Sequence, residues 1–379
     1  MELEEYRKEI DQVDAELLKL FRRRMELSAA IGDYKRAHRL PVFNPQRERE
    51  ILAQVCEEAG PQYGTYARQL FETLFDLSRS CQNQSLPGAD DLPKAIQRAL
   101  QETPQIFPPR GSVACQGVEG AYSQIAAERL FPQGSISYFK TWEGVFNAVE
   151  KGLCKFGVLP IENSTHGTIV AVYDLMRHHN FHIVRSIKLQ VNHVLVANPG
   201  VKLDQIKEIF SHEQALGQCS GFLKAHPQIK ATAVENTAVA ARMVMESGRA
   251  DVAAICSAAC ADLYNLRILE DHVQNSDFNY TRFICITKTL EVYPGANRIS
   301  LMLTVPHHPG ALCQLMAKFS ALGVNLLKLE SRPVPGRDFE FLFYFDFEAT
   351  IYDPDIVRLL GQLANSPEFF VLLGCYMEV

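Results

Sequence analysis

Arg24 and Lys35 lie eleven residues apart in a segment with helical apolar spacing, about three turns, so both point along one face. Two cations on one face can meet a single ligand. Arg7 stands a further 17 residues back, roughly 25 Å along the axis, and can serve such a site only in a partner subunit. Further along, four polar clusters sit at the ends of short apolar runs: Gly117-Val118-Glu119-Gly120-Ala121-Tyr122-Ser123, Pro160-Ile161-Glu162-Asn163-Ser164, Ser211-His212-Glu213-Gln214 with Gln218, and Asn279-Tyr280-Thr281-Arg282-Phe283. Polar residues at strand ends are where α/β domains place ligand sites. The first cluster follows a strand and opens a helix, as a carboxylate site would, but it has G-x-x-G and lacks the spacing of a dinucleotide loop. Taken singly, each cluster is equally turn and cap chemistry, and each helical cation is equally a solvated charge.

These residues need elements to position them. Between residues 4 and 38 there is no proline, and Ile10, Val13, Leu17, Leu20, Phe21, Leu27 and Ile31 recur at helical spacing. Asn44-Pro45 is a helix N-cap followed by proline at the first helical position. The spacing predicts a second helix to about Glu58, a Gly/Pro turn, and a third helix from about Thr65 to Gln84. A 35-residue helix is too long to be covered by two short ones, so its apolar stripe predicts a homodimer, with an ordinary coiled-coil tether as the alternative; whether dimers pair further stays open. Residues 85–110, rich in Pro, Gln and small polar residues, are expected to link, with one amphipathic stretch at 92–100. Strands at 155–161, 191–197 and 252–256 alternate with helices at 122–131, 142–151 and 235–247, which predicts an α/β domain to about 290. The last 80 residues alternate as βαββαβ, with strands at 298–305, 324–331, 339–348 and 370–377 and helices at 310–321 and 354–364.

Composition narrows the partners. The 379 residues are 47% hydrophobic and 22% charged, with a formal net charge of -6, which argues against nucleic acid or an anionic membrane as the main partner. The charged N-terminus lacks a signal core and no run approaches a membrane span, so a cytoplasmic location is expected. Ten cysteines without a CxxC pair predict reduced, mostly buried thiols. His166, His178, His179, His182 and His193 lack metal-site spacing, and neither metal nor cofactor is expected.

The spaced pattern Arg7-Lys8-Glu9-Ile10, Asp14, Leu17, Leu18, Arg24, Gly32, Lys35 and Arg47-Glu48-Arg49 resembles the all-helical chorismate mutases over residues 1–85. The resemblance implies that Arg7 (from the partner), Arg24 and Arg47 hold the substrate carboxylates, that Lys35 and Gln82 contact the ether oxygen, that Glu48 binds the ring hydroxyl, and that Ser78 lines the pocket. Ser78 and Gln82, at i and i+4, share a helix face. Asn44 stands where the family often has Asp, which weakens an acidic contact to the ring hydroxyl. A Claisen rearrangement needs no nucleophile; it needs a flexible dicarboxylate held compact and donors aimed at the oxygen gaining charge.

The four polar clusters, in order and spacing, resemble prephenate dehydratase over 111–290, the Thr-Arg-Phe triplet being the most specific mark. That resemblance implies two α/β lobes, as in periplasmic binding proteins, with Thr281 at the catalytic centre and Asn163, Ser211, Gln218 and Glu162 around prephenate. Arg282 takes a carboxylate or braces the cleft. Over 297–379, Pro309-Gly310-Ala311-Leu312 and Glu330-Ser331-Arg332-Pro333 resemble the ferredoxin-like ACT domain of these enzymes. Phenylalanine is then expected at Gly310, Ala311, Leu312, Glu330, Ser331 and Arg332, as a feedback inhibitor; His307 and His308 have no assigned role. Two readings compete with this bifunctional enzyme. A non-catalytic amino-acid sensor would use the same lobes, and a mutase–dehydrogenase fusion would need a nicotinamide loop that the sequence lacks. Acceptance of arogenate is not decided by sequence.

Overall fold

The computed structural model describes residues 3–83, 91–334, 340–365 and 369–379. The start of the strand predicted at 339 and the junction around 84–90, where the third helix was to end and the linker to begin, lie outside them. The chain divides into two compact units, Met1–Arg98 with Leu301–Val371, and Ala99–Ser300 with Leu372–Val379.

In the first unit, α1 (Leu3–Ala37) packs against α2 (Pro45–Asn83). Asn44 caps α2 as predicted, its Oδ1 accepting from the Arg47 amide at 3.1 Å. The predicted turn between second and third helices is a one-residue break. Gly60 takes φ 71°, Pro61 restarts the helix at once, and one long kinked α2 results. Glycine permits that φ, and proline at a first helical position loses no hydrogen bond. A Cβ on Gly32 would lie 2.9 Å from Gln82 Cα, so glycine lets α1 and α2 approach closely there. Toward its N-terminus α1 is open: Ile10, Val13, Leu17 and Leu20 are exposed. α3 (Asp91–Glu102) follows, within the stretch predicted as linker.

The second unit contains both lobes. Its first lobe holds β1 (Ser112–Gln116), α4 (Tyr122–Leu130), β2 (Ser135–Phe139), α5 (Trp142–Glu150), β3 (Phe156–Asn163), β4 (Gly167–Thr168), α6 (Val170–Met176) and β5 (His182–Gln190). The second holds β6 (Val194–Ala197), β7 (Glu208–His212), α7 (Glu213–Gln218), α8 (Ser220–Ala225), β8 (Lys230–Val234), α9 (Thr237–Ser247), β9 (Val252–Cys256), α10 (Ala258–Leu263) and β10 (Arg267–Glu270). The chain then returns to the first lobe as β11 (Tyr280–Thr287). The sheets run β5-β11-β3-β1-β2 and β10-β6-β9-β7-β8. Each has its own apolar core, around Phe131, Phe156 and Phe283 in one and Val196, Ile209 and Ile255 in the other. Burying each such side chain stabilises by about 1.5–3 kcal/mol. Val191–His193, predicted as strand, instead form one of two crossings between lobes, where the Val191 amide bonds to Asn279 O on the other crossing at 2.7 Å. Residues 99–110 are not a free linker either: Phe107 packs on the first-lobe core, and buried Thr103 accepts from the Val292 amide at 2.9 Å.

The C-terminal order is the predicted βαββαβ: β12 (Arg298–Thr304), α11 (Ala311–Ala321), β13 (Asn325–Pro333), β14 (Phe341–Glu348), α12 (Pro354–Ala364) and β15 (Phe370–Glu378). Asp353 caps α12 through the Asp355 amide, and Pro354 occupies its first turn. No helix among the described residues is long and apolar enough to cross a membrane.

Candidate functional sites

On α1 and α2 the structure gathers Arg24, Lys35, Ser78 and Gln82. The Arg24 guanidinium donates to Leu74 O at 2.8 Å and to Ser78 Oγ, while Ser78 Oγ donates to Leu74 O at 2.7 Å. Lys35 Nζ donates to Gln82 Oε1 at 3.2 Å and to Val42 O at 2.6 Å. Ser78 and Gln82 are buried on one face of α2, as their spacing requires. Burial holds the Arg24 pKa below its ordinary value, with Glu48 opposing; arginine stays charged regardless.

Glu48 is held by a residue the sequence reading missed. Arg79 Nη1 donates to both Glu48 oxygens, at 2.5 and 2.6 Å, and Nη2 to Asp76 at 2.9 Å, with the guanidinium over the Phe43 ring. The only local signal was the Asp76/Arg79 spacing of three, which is common on helix surfaces. Arg47 pairs with Glu50 at 3.6 Å on the exposed side. Arg7 is exposed and pairs with Glu4 at 2.7 Å, far along α1 from Arg24.

In the second unit, β3 and β11 pair so that Asn163 faces Thr281 and Glu162 faces Arg282. Asn163 Nδ2 donates to Thr281 Oγ1 at 3.0 Å, Asn279 Oδ1 at 2.8 Å and Tyr280 O at 3.2 Å; its Oδ1 accepts from the Thr165 and His166 amides. Because Thr281 Oγ1 accepts from Asn163, its own proton points elsewhere. Ser164 Oγ accepts from the Tyr280 amide and donates to Phe278 O, clasping the two segments together. Next to this pair is a cavity of about 140 Å³, lined by Thr165, His166, Gly217, Gln218, Gln274, Asn275, Ser276 and Asn279. It lies where the β3–β4 turn, α7 and the returning crossing meet. Gln218 Nε2 lies 3.2 Å from His166 Nδ1, and Gln218 Oε1 lies 2.9 Å from His193 Nε2, so a polar chain runs from His193 to Asn163.

Two predicted contacts take structural roles. Ser211 is fully buried and donates to Ile255 O at 2.6 Å, bracing β7 against β9 instead of facing the cavity. Arg282 is 7% exposed, with Nη2 donating to Tyr376 OH at 2.8 Å and Nε 3.1 Å from Glu378, contacts that tie β11 to the chain's last strand. In the GVEGAYS loop the Gly120 amide is taken by Gln124 Oε1 at 2.6 Å, which removes it as an anion donor.

Burial pushes the His193 pKa down, with Gln218 opposing in part. The folded state therefore holds it neutral, while the unfolded chain protonates near pH 6.5. The unfolded state then binds more protons, and stability is lost as pH falls below about 6.5. His193→Gln should flatten that loss. Melting temperatures at pH 7.5 and 5.5 check this; an equal drop in variant and wild type, at about 2–4 °C per kcal/mol, would refute it.

Around α11, Gly310 takes φ 86° at the N-cap and Ala311 and Leu312 line a cavity of about 370 Å³ with Val305, His307, His308, Phe341 and Phe343. Ser331 on β13 lies opposite Phe343, flanked by Glu330 and Arg332.

Residues 6–83 match the family model of chorismate mutase type II, and 113–290 that of prephenate dehydratase. The bifunctional chorismate mutase/prephenate dehydratase of Escherichia coli is 30% identical over 98% of this chain and 95% of its own length. Arogenate dehydratase/prephenate dehydratase 1 of Arabidopsis thaliana is 34% identical over 89% of this chain and 94% of its own. Among solved structures, a prephenate dehydratase from Arthrobacter aurescens in complex with L-Phe has a TM-score of 0.64 and 28% identity, over 70% of this chain and 89% of that one.

Proposed function

Since the chain belongs to the bifunctional chorismate mutase/prephenate dehydratase family, we propose that its two sites work in sequence in phenylalanine synthesis, each with the residues described above. The first site rearranges chorismate to prephenate; the second converts prephenate to phenylpyruvate with loss of carbon dioxide and water; phenylalanine regulates the enzyme.

In the mutase site, Arg24 and Arg47 hold the carboxylates in the compact conformer, with Arg7 supplied by a second copy. Lys35 and Gln82 face the ether oxygen, where negative charge grows as the bond breaks. Glu48, oriented by Arg79, accepts from the ring hydroxyl. The exposed apolar stripe of α1 supports a homodimer, since two such helices laid together would cover it and bring Arg7 to the partner's site.

In the dehydratase site, Thr281 donates to the departing hydroxyl, its oxygen held by Asn163, with Gln218 beside the substrate and Glu162, expected there from sequence, turned to the Arg282 side of the strand pair. A threonine is a weak acid, so the proton must come through it or beside it. His166 lines the cavity with Nδ1 3.3 Å from Asn163 Oδ1, so it is placed for that supply. A ring carboxylate placed in a poorly solvated cavity is released more easily as neutral carbon dioxide. Free cysteines throughout support a reducing, cytoplasmic setting. We assign the domains as 1–85, 111–290 and 297–379, with 86–110 joining them and phenylalanine in the α11 cavity.

The observation that carries the reading is the Asn163–Thr281 pair beside a cavity between lobes. Chorismate given to the purified chain should yield prephenate and then phenylpyruvate, and added phenylalanine should slow the second step. No turnover of either substrate would leave an amino-acid sensor as the better reading.

A further inference from the structure

We propose that Glu378 and Tyr376, near the end of β15, are positioning residues of the dehydratase site: they clamp Arg282 and so hold the neighbouring Thr281 against Asn163. The proposal rests on the dehydratase reading above.

Successive strand residues point to opposite faces. Thr281 meets Asn163 on one side, and Arg282 therefore projects away from that contact, into the first lobe's other face. There its guanidinium is nearly sealed from water, with Nη2 donating to Tyr376 OH at 2.8 Å and Nε 3.1 Å from Glu378 Oε2. Both partners are themselves anchored. Arg298 Nη2 lies 2.8 Å from Glu378 Oε1, Ser186 Oγ donates to Glu378 at 3.3 Å, and Ser300 Oγ lies 2.7 Å from Tyr376 OH. The strand is seated closely: Glu378 is in register with Ser186 of β5, and a Cβ on Gly374 would collide with Ile183 O. Any side chain at that glycine would push β15 away from β5.

The clamp sits where the backbone is least able to hold register alone. Between Arg282 and Phe283 the β11–β3 ladder is irregular, with Arg282 opposite Glu162 but Phe283 opposite Pro160. A bulge disrupts the local ladder, and proline has no N–H to give it. Arg282 also has an alternative partner, since Glu162 Oε2 lies 3.9 Å from Nη1. Without Glu378, the buried guanidinium loses its nearer carboxylate and is drawn toward Glu162. Glu162 adjoins Asn163, so that movement would disturb the Asn163–Thr281 contact. Misplacement of about 1 Å costs on the order of 100-fold in rate.

The test is steady-state kinetics on the full chain with Glu378→Gln and Tyr376→Phe, using prephenate for the dehydratase and chorismate for the mutase, alongside thermal melts. Glu378→Gln is expected to lower dehydratase kcat by about 10–100-fold, with KM little changed and the mutase rate at wild type. Glu378→Asp, which restores the charge, should recover part of kcat. A folded Glu378→Gln variant with dehydratase kcat within about twofold of wild type overturns the proposal. So does a raised KM at unchanged kcat, which would make Arg282 a substrate contact. Should Glu378→Gln fail to fold, Tyr376→Phe decides, because it leaves the charges paired: an unchanged kcat overturns the clamp. Absence of dehydratase turnover in the wild-type chain would defeat the underlying reading instead, so the two failures are distinguishable.

Discussion

Thr281→Ala is expected to lower dehydratase turnover by about 10²–10⁴-fold, the range for loss of a positioned proton-donating group, while mutase turnover stays at the wild-type rate. The reason is geometric. Thr281 Oγ1 accepts from Asn163 Nδ2 at 3.0 Å, and Asn163 is in turn locked by the Thr165 and His166 amides through its Oδ1. The hydroxyl is thus pre-oriented, and its proton is available to a leaving oxygen. Alanine keeps the strand and removes the donor. Thr281 is exposed only in part and sits at a strand end, so the fold should survive the change. Thr281→Ser should retain part of the activity, because the oxygen can still accept from Asn163. The measurement is phenylpyruvate formation from supplied prephenate beside prephenate formation from chorismate. Equal loss of both activities would contradict two separate sites.

Lys35→Ala should do the reverse, lowering mutase turnover by about 10²–10³-fold, as loss of a donor to a developing oxyanion does, with the dehydratase unaffected. Lys35 reaches Gln82 only because Gly32 lets α1 approach α2 closely. Lys35→Arg is not a rescue, since a planar guanidinium does not replace a compact ammonium in that space. The dimer adds a stricter form of the same test. If Arg7 serves the partner's site, Arg7→Ala and Lys35→Ala chains are each inactive as mutases, but mixed dimers contain one site with both native residues. Recovery of mutase activity on mixing, up to about a quarter of wild type for random pairing with one intact site in each mixed dimer, is the expected result. No recovery after subunit exchange is demonstrated would remove Arg7 from the site.

The features legible in the sequence are those carried by local patterns. Apolar spacing marks α1, Asn44-Pro45 marks the start of α2, alternation marks the two lobes, and strand and helix lengths mark the βαββαβ order. The resemblance to prephenate dehydratase grouped Asn163, Gln218 and Thr281 before any geometry was known. Gly60-Pro61 was visible as a break, but whether it becomes a turn or a kink depends on what the next helix packs against.

What tertiary structure alone decided was the partner of each polar side chain. Arg282 adjoins Thr281 in one motif and Ser211 opens another of the four, yet Ser211 donates to Ile255 O and Arg282 is held by Tyr376 and Glu378. Arg79 holds Glu48 from the far end of α2, and Thr103 is packed within a stretch whose composition reads as linker. These pairings join residues distant in the chain through strand register, helix approach and one bulge. Local propensity carries no information about them, because their energy exists only once the strands and helices have met. The sequence determined which chemistry the chain can do; the fold determined which of its polar residues are left to do it.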